Sequence, residues 1–128
     1  MKAKKRASGP DKKLLETIGY EYPGKKITIE TESGEFTCLC PWTGQPDFAT
    51  IRVSYVPARK CVELKSLKLY LQSYRNAGMV HESVVNSILE DLAQITDPLK
   101  MRVAAEFNIR GGIKTTVSRE YVRKKGGR

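Results

Sequence analysis

The sequence has no long apolar run, a single histidine, a single tryptophan and only three cysteines. A helix that crosses a bilayer needs about 20 consecutive apolar residues, so a membrane-spanning protein is not expected. An odd number of cysteines without framework spacing argues against a disulfide-stapled secreted domain. The N-terminus is basic, but no apolar stretch follows it, so the sequence predicts no secretory signal. A cytoplasmic location with reduced thiols is the resulting expectation.

The chain has 128 residues, of which 40% are hydrophobic and 29% charged, as in an ordinary globular domain. Its net charge of +9 is concentrated at the two ends, whereas residues 14–118 contain equal numbers of acidic and basic side chains. We therefore predict one folded domain over 14–118, between basic disordered tails at 1–13 and 119–128. The folded part shows no basic stripe, so no stable nucleic-acid partner is expected. A non-catalytic RNA-binding module, which would bind through the tails, is the alternative.

Hydrophobic periodicity predicts strands first, then two helices, then strands again. The predicted strands cover 27–31 and 36–40, separated by Ser33-Gly34 and read as a hairpin, then 48–56, 101–109 and a return strand opened by 113–117. The first helix begins near Leu64 and ends before Asn76-Ala77-Gly78, and the second follows His81 and ends at Asp97-Pro98. The order β-β-α-α-β-β predicts an α+β fold, an antiparallel four-stranded sheet with both helices on one face. Its two open edges favour association of subunits into a ring.

Cys40 is the first candidate for chemistry, because it lies where a strand meets the loop that begins at Pro41. A cysteine attacks as a thiolate, and a carboxylate nearby in sequence, Asp47, can deliver a proton to what the attack generates. The alternative is a small buried hydrophobic residue. Cys38 shares a strand face with Cys40, but a structural zinc site needs four ligands, and only Cys61 and His81 remain, without paired spacing. No metal site is predicted.

Two further segments carry charged residues at suggestive positions. Lys65 and Lys68 are three residues apart at a helix start, so they share a face that can hold phosphate, or that is simply solvated. The sequence has no Gly-rich dinucleotide or phosphate loop. His81 and Glu82 begin the second helix, where Glu82 either complements the helix dipole or accepts two hydrogen bonds from the edge of a ring.

Together, these segments resemble the NADPH-dependent 7-cyano-7-deazaguanine reductases, nitrile reductases of the queuosine pathway of tRNA modification. The similarity covers about residues 20–118 and is carried by residues 39–50 (LCPWTGQPDFAT), 63–70 (ELKSLKLY) and 81–82 (HE). The segment 63–70 fits the family signature at every position, and that signature separates the reductases from relatives that share the tunnelling fold. The short chain resembles the single-module subfamily.

The resemblance implies a fold, a reaction and a set of site residues. The fold would be the tunnelling fold, assembled as two stacked pentamers. Cys40 would attack the nitrile carbon to form a thioimide, and NADPH would deliver two hydrides with Asp47 as proton donor. The residues implied in substrate binding are Val62, Glu63, Leu64, His81 and Glu82, and those in NADPH binding are Lys65 and Lys68.

One position departs from the family pattern: the residue before the His-Glu pair is commonly aromatic, and here it is Val80. Val80 has no ring that could stack on the substrate base. Two same-fold enzymes are alternatives, an amidinotransferase acting on tRNA and a cyclohydrolase-type hydrolase. The intact lysine segment argues against the first, and the scarcity of zinc ligands argues against the second. Whether Cys38 or Cys61 forms a regulatory disulfide with Cys40 is left open by the sequence.

Overall fold

The computed structural model describes residues 9–124 and has the predicted order of strands and helices. After a 3-10 turn at Lys12–Leu14, its elements are β1 Thr17–Gly19, β2 Ile29–Leu39, β3 Pro46–Val56, β4 Lys60–Val62, α1 Leu64–Gln72, α2 His81–Thr96, β5 Lys100–Phe107 and β6 Thr116–Val122. The main sheet is antiparallel, with strand order β2-β3-β5-β6. Strands β1 and β4 form a separate two-stranded sheet.

Alternation along the strands decides which face of the main sheet the helices cover. In β3, Asp47, Ala49, Ile51, Val53 and Tyr55 are buried, and most of the residues between them are exposed or half-buried. Because successive side chains of a strand point to opposite faces, the buried set lies beneath the helices. Each helix contributes a matching apolar stripe to this core. The buried apolar residues are Leu67, Tyr70 and Leu71 in α1, and Val84, Val85, Ile88, Leu89 and Leu92 in α2. The predicted layer arrangement is confirmed.

Four polar side chains connect α1 and the turn after it to α2. The Tyr70 hydroxyl donates to Asp91 Oδ2 at 2.5 Å and lies 2.7 Å from the Tyr74 hydroxyl, which lies 2.7 Å from Ser87 Oγ. Each hydroxyl has one proton to donate, so the hydrogen bonds form a chain in which Ser87 donates to Tyr74, Tyr74 to Tyr70, and Tyr70 to Asp91. Burial raises the pKa of Tyr74 to about 12 and that of Tyr70 further still, which keeps both phenols protonated. This chain fixes α2, and with it His81, relative to α1.

The predicted hairpin around Ser33-Gly34 is wrong. Residues 29–39 form one strand, with a register irregularity between Ser33 and Phe36 opposite β3. Gly34 lies within this strand and its φ is not positive, so the backbone stays extended and the chain does not reverse there. The glycine marks a bulge in the edge strand instead of a turn.

The ordered chain extends beyond both boundaries expected for the tails. Asp11 accepts from the Lys13 amide and donates its own amide to Ser73 Oγ, so the N-terminal segment is anchored before residue 14. At the other end, β6 continues to Val122, because Val117 and Tyr121 pack against the core while their neighbours face outward. The parts of the predicted tails at 1–8 and 125–128 lie outside the described residues.

Candidate active site

Two backbone hydrogen bonds bring the end of β2 to the start of α2. The Leu39 amide donates to the Ala77 carbonyl at 2.9 Å, and the Met79 amide donates to the Leu39 carbonyl at 3.0 Å. Leu39 thereby forms a parallel bridge with Gly78, three residues before His81. Cys40, which follows Leu39, is held near the N-terminus of α2 by this bridge.

The loop after β2 is closed on itself around Cys40. The Cys40 amide donates to the Gln45 carbonyl at 2.8 Å, and the Gly44 amide donates to the Cys40 carbonyl at 2.9 Å. Gly44 has φ 76°, a conformation that side chains disfavour, so a glycine suits this turn. Hydrogen bonds from the Thr43 hydroxyl, the Thr43 amide and the Trp42 amide lower the pKa of Cys40. The loop therefore stabilises a thiolate on a half-buried side chain, which is what a cysteine nucleophile requires.

The other two cysteines lie in environments that disfavour a thiolate. Cys38 is fully buried opposite Asp47 in the β2–β3 pair, and burial raises its pKa to about 12. Burial also raises the pKa of Cys61, which is half-buried in β4. All three thiols are free. The environment thus favours a thiolate at Cys40 and a protonated thiol at Cys38 and Cys61.

Asp47 lies at the start of β3 with both carboxylate oxygens occupied. Oδ2 is 3.3 Å from His81 Nε2, and Oδ1 accepts from the guanidinium of Arg110. The side chain of Asp47 is 9% exposed, whereas those of His81 and Arg110 are 25% and 49% exposed. The carboxyl group of Asp47 is therefore nearly buried, and its two partners are the more solvent-exposed members of the group.

The ring of His81 is held flat against Phe107 at the end of β5. The two ring centroids are 3.6 Å apart, with an angle of 5° between the planes. Phe107 is 1% exposed, so it provides a fixed platform. With its plane set by Phe107 and its Nε2 next to Asp47, the imidazole has one defined orientation.

Glu82, the second residue of the predicted pair, is exposed in the first turn of α2. Val80 is the N-cap of that helix and makes no side-chain cap hydrogen bond. An acidic residue here complements the positive end of the helix, in agreement with the simpler interpretation. Its exposure also leaves its carboxylate accessible to a ligand at the end of the helix that carries His81.

Cys40, Asp47, His81, Phe107 and Arg110 form one group, here called the Cys40 cluster. The predicted residues from Val62 to Lys68 are not part of it and lie between the end of β4 and the middle of α1. Val62 is buried and donates its amide to the Tyr55 hydroxyl at 2.9 Å. Glu63 is the N-cap of α1, where it accepts from the Lys65 and Ser66 amides at 3.0 and 2.8 Å. These two bonds lower the pKa of Glu63. Its carboxylate is therefore already engaged in a helix cap.

Lys68 lines a groove between α1 and the bulged part of β2. The groove has a volume of ≈ 400 Å³, and its lining includes Leu64, Leu71, Arg75 and Glu35. Lys65 lies one turn earlier on the same helix and is also exposed. A groove of this size with cations along one wall is within the range of small-molecule sites.

Two residues of the cluster, Phe107 and Arg110, were not predicted. Arg110 precedes Gly111-Gly112, which the sequence identified only as a turn, and Phe107 was one apolar residue among several in a strand. Neither has a local sequence signal for its role, since both act on residues far away along the chain.

Among residues 9–124 there is no group of three or more histidine, cysteine or acidic side chains placed to hold a metal ion. No helix in that range is long and apolar enough to cross a membrane.

Comparison with known proteins places this geometry in a family. A family model described as "QueF-like protein" matches residues 46–126. NADPH-dependent 7-cyano-7-deazaguanine reductase of Nitrosococcus oceani is 58% identical over 107 residues, covering 84% of this chain and 83% of that protein. The reductase of Thioalkalivibrio sulfidiphilus is 55% identical over 114 residues, with 89% and 88% covered. That of Thermoanaerobacter pseudethanolicus is 48% identical over 115 residues, with 90% and 86% covered.

A solved structure shows the same fold at low identity. The crystal structure of the archaeosine synthase QueF-Like in the apo form has a TM-score of 0.69 and 19% sequence identity, covering 81% of this chain and all of that chain. The likeness concerns the fold alone, and it agrees with the tunnelling fold and the order β-β-α-α-β-β.

Proposed function

The chain belongs to the family of NADPH-dependent 7-cyano-7-deazaguanine reductases, and on that premise we propose that Cys40 and Asp47 carry out its chemistry. The reaction is the NADPH-dependent reduction of the nitrile of 7-cyano-7-deazaguanine to 7-aminomethyl-7-deazaguanine, a step of queuosine biosynthesis. The observation that carries the proposal is the pairing of an activated thiol with a nearly buried acid at the same end of the sheet. The chain therefore has a nucleophile and a proton donor, as addition to a nitrile requires.

In the first step, Cys40 Sγ forms a bond to the nitrile carbon while the nitrogen takes up a proton from Asp47, which gives a covalent thioimide. Two NADPH molecules bound in succession would each supply one hydride, and with one further proton these would convert the nitrile carbon to an aminomethyl carbon. Between the two reductions the carbon–sulfur bond breaks and its electron pair returns to Cys40. The hydrogen-bond donors of Thr43 and Trp42 stabilise that returning thiolate, so they favour both attack and release.

The deazaguanine ring is proposed to bind where α2 begins. Glu82 can accept two hydrogen bonds from the amidine-like edge of the ring, and His81 lies beside it. Because Val80 is aliphatic, it offers apolar contact without ring stacking. Backbone and side-chain groups of Val62, Glu63 and Leu64 are proposed to complete the pocket. Since the Glu63 carboxylate caps α1, we assign its contribution to the backbone.

The residues on α1 fit an NADPH site. NADPH carries phosphate groups, and Lys65 and Lys68 present two ammonium groups on one helix, with Arg75 further along the groove. The groove wall formed by Leu64 and Leu71 can cover apolar parts of the cofactor. We propose that Lys65 and Lys68 hold its phosphates.

Replacing Lys65 and Lys68 by alanine should weaken NADPH binding while nitrile binding stays nearly intact. A charge-assisted hydrogen bond to phosphate contributes about 1.5–3 kcal/mol, or roughly 10- to 100-fold in Kd for each lysine. Titration of NADPH into the wild type and the double variant measures the effect. Lys60→Ala, at an exposed lysine of β4, is the matched control. Equal NADPH affinity in the wild type and the double variant would show that the two lysines form an ordinary solvated face.

We propose that the subunits assemble into two stacked pentamers and that this assembly completes the site. Strands β2 and β6 are the edges of the described sheet, and open edges pair readily with another chain. Exposed apolar side chains also surround the Asp47 end of the sheet: Phe48 is 50% exposed, Ile109 63% and Ile113 70%. Such a patch is typical of a surface that a second subunit covers. The groove lined by Lys68 includes none of Cys40, Asp47 and His81, which fits a site shared between subunits.

Activity per unit of protein is therefore expected to fall on dilution, in parallel with the loss of the oligomer. Subunit dissociation separates residues that a shared site needs, so rate and mass should change together. Light scattering and steady-state rates over the same dilution series measure both. A monomer with full activity would contradict the shared site.

Loss of NADPH absorbance after addition of 7-cyano-7-deazaguanine tests the function as a whole. The alternatives in the same fold and the RNA-binding module consume no NADPH, so the assay separates them from the reductase.

Several arginines in the described chain are already paired with carboxylates, including Arg52 with Glu32 and Glu106, and Arg119 with Glu90. This pairing supports the proposal that no nucleic acid binds stably. The cytoplasmic location stays a prediction.

A further inference from the structure

Asp47 is contacted by two donors of different kinds, one on each oxygen. Oδ1 accepts from Arg110 Nη1, and Oδ2 faces His81 Nε2 at 3.3 Å. The same Arg110 nitrogen also donates to the Pro46 carbonyl at 3.1 Å. Arg110 thus bridges the first backbone carbonyl of β3 and the acid that follows it.

The backbone of Arg110 is fixed by the tight turn that it opens. The Arg110 amide donates to the Ile113 carbonyl, and the Ile113 amide donates to the Arg110 carbonyl, both at 3.0 Å. Gly111 and Gly112 between them have φ 59° and 80°, as a two-residue hairpin turn requires. The guanidinium therefore approaches Asp47 from a rigid support and not from a flexible loop.

The chemistry of the two donors determines where a transferable proton can lie. A guanidinium donates hydrogen bonds and accepts none, so a proton on Oδ1 would weaken its charged bond to Arg110, and this contact favours an unprotonated Oδ1. An imidazole nitrogen can either donate or accept, so the contact between Oδ2 and Nε2 tolerates a proton on either atom. The two oxygens of one carboxylate are thereby made unequal.

We propose that Arg110 is a positioning residue that confines the transferable proton to the pair formed by Asp47 Oδ2 and His81 Nε2. This inference rests on the proposed function. When Cys40 Sγ bonds to the nitrile carbon, the electrons of one carbon–nitrogen π bond move to the nitrogen. The nitrogen then takes up the proton held between Asp47 Oδ2 and His81 Nε2. The pair is then one proton short and is recharged from solvent, which reaches it through the quarter-exposed His81. Phe107 keeps the imidazole plane, and so the direction of the proton, constant.

Arg110→Ala should lower kcat about 10- to 100-fold, the range for losing a charged hydrogen bond, with KM for the nitrile changed little. Arg110→Lys, which keeps a cationic donor, should recover part of the loss, and added guanidinium should partly rescue Arg110→Ala. Arg119→Ala is the matched control, because Arg119 is similarly exposed and paired with a carboxylate on α2. An unchanged kcat would overturn the inference. A rise in KM for NADPH alone would also overturn it, since it would make Arg110 a cofactor ligand.

A second measurement needs no turnover, so it separates failure of this inference from failure of the proposed function. The chain has one histidine, so nitrogen NMR of the labelled protein reports on His81 without overlap. In the wild type the proton should be shared between Nε2 and Oδ2, and in Arg110→Ala it should lie less on Nε2, because Oδ1 of Asp47 is then also free to hold it. Arg119→Ala should match the wild type. Identical imidazole nitrogen shifts in the wild type and Arg110→Ala would refute the positioning role, whatever the enzyme's activity.

Discussion

Cys40→Ala is expected to abolish both turnover and covalent capture of the nitrile. A thiolate is the strongest nucleophile among common side chains, and alanine offers no atom that can replace it. The substitution removes only the sulfur, because the two hydrogen bonds that close the loop use the Cys40 backbone. The loop, and with it the approach to Asp47, should therefore stay in place in the variant.

Mixing the wild-type protein with 7-cyano-7-deazaguanine in the absence of NADPH should trap the thioimide on Cys40. The mass of the adduct should equal protein plus whole substrate, because addition to a nitrile expels nothing. Intact mass and peptide mapping measure the adduct and its position. Cys61→Ala should retain adduct and turnover, and so should Cys38→Ala once its folding is verified by thermal unfolding, since Cys38 is fully buried. An adduct on Cys38 or Cys61, or reduction of the nitrile by Cys40→Ala, would show that the nucleophile is misassigned.

The directions of the thiol pKa shifts give the same order of reactivity. At any pH below the ordinary pKa of a cysteine, a thiol whose pKa is lowered has a larger thiolate fraction than an unperturbed thiol. A thiol whose pKa is raised has a smaller thiolate fraction. The pKa is lowered for Cys40 and raised for Cys38 and Cys61. Adduct formation should therefore persist at neutral pH on Cys40, where the other two sites stay protonated.

Asp47→Asn is expected to lower kcat by about 10²- to 10⁴-fold, the usual contribution of a positioned general acid. The amide has nearly the shape of the carboxyl group, and its oxygen can still accept from Arg110, so the fold and nitrile binding should change little. What the variant loses is a group that can hand a proton to the nitrile nitrogen. Steady-state rates, with KM for the nitrile determined separately, measure this division.

Asp91→Asn is the matched control for that substitution. Asp91 lies on α2 outside the Cys40 cluster, and the amide oxygen of asparagine can still accept the hydrogen bond from Tyr70, so the contacts that fix α2 and His81 stay in place. The same chemical change at Asp91 should leave the rate close to that of the wild type. If Asp47→Asn and Asp91→Asn lower the rate equally, Asp47 acts through stability and is not the proton donor.

Features that depend on neighbours in the chain could be predicted from the sequence. The spacing of apolar residues placed α2 correctly, because one turn of helix brings residues three and four apart onto one face. The segments around Cys40, Glu63 and His81 were sufficient to identify the family, since each is a continuous run of residues. The prediction of a hairpin at Ser33-Gly34 failed because a glycine in a strand pattern can mark either a turn or a bulge, and pairing with β3 decides between them.

The sequence by itself therefore determined the order of elements, the family and its reaction, and the candidate nucleophile and acid. The tertiary structure alone decided how the site is assembled. It joins Arg110 to Asp47 across 63 residues of chain, stacks His81 on Phe107, and engages the Glu63 carboxylate in a helix cap. It also extends β6 to Val122, where the basic sequence predicted a tail. The reason is physical: contacts between residues distant in sequence depend on strand register and loop closure, which a single sequence does not display.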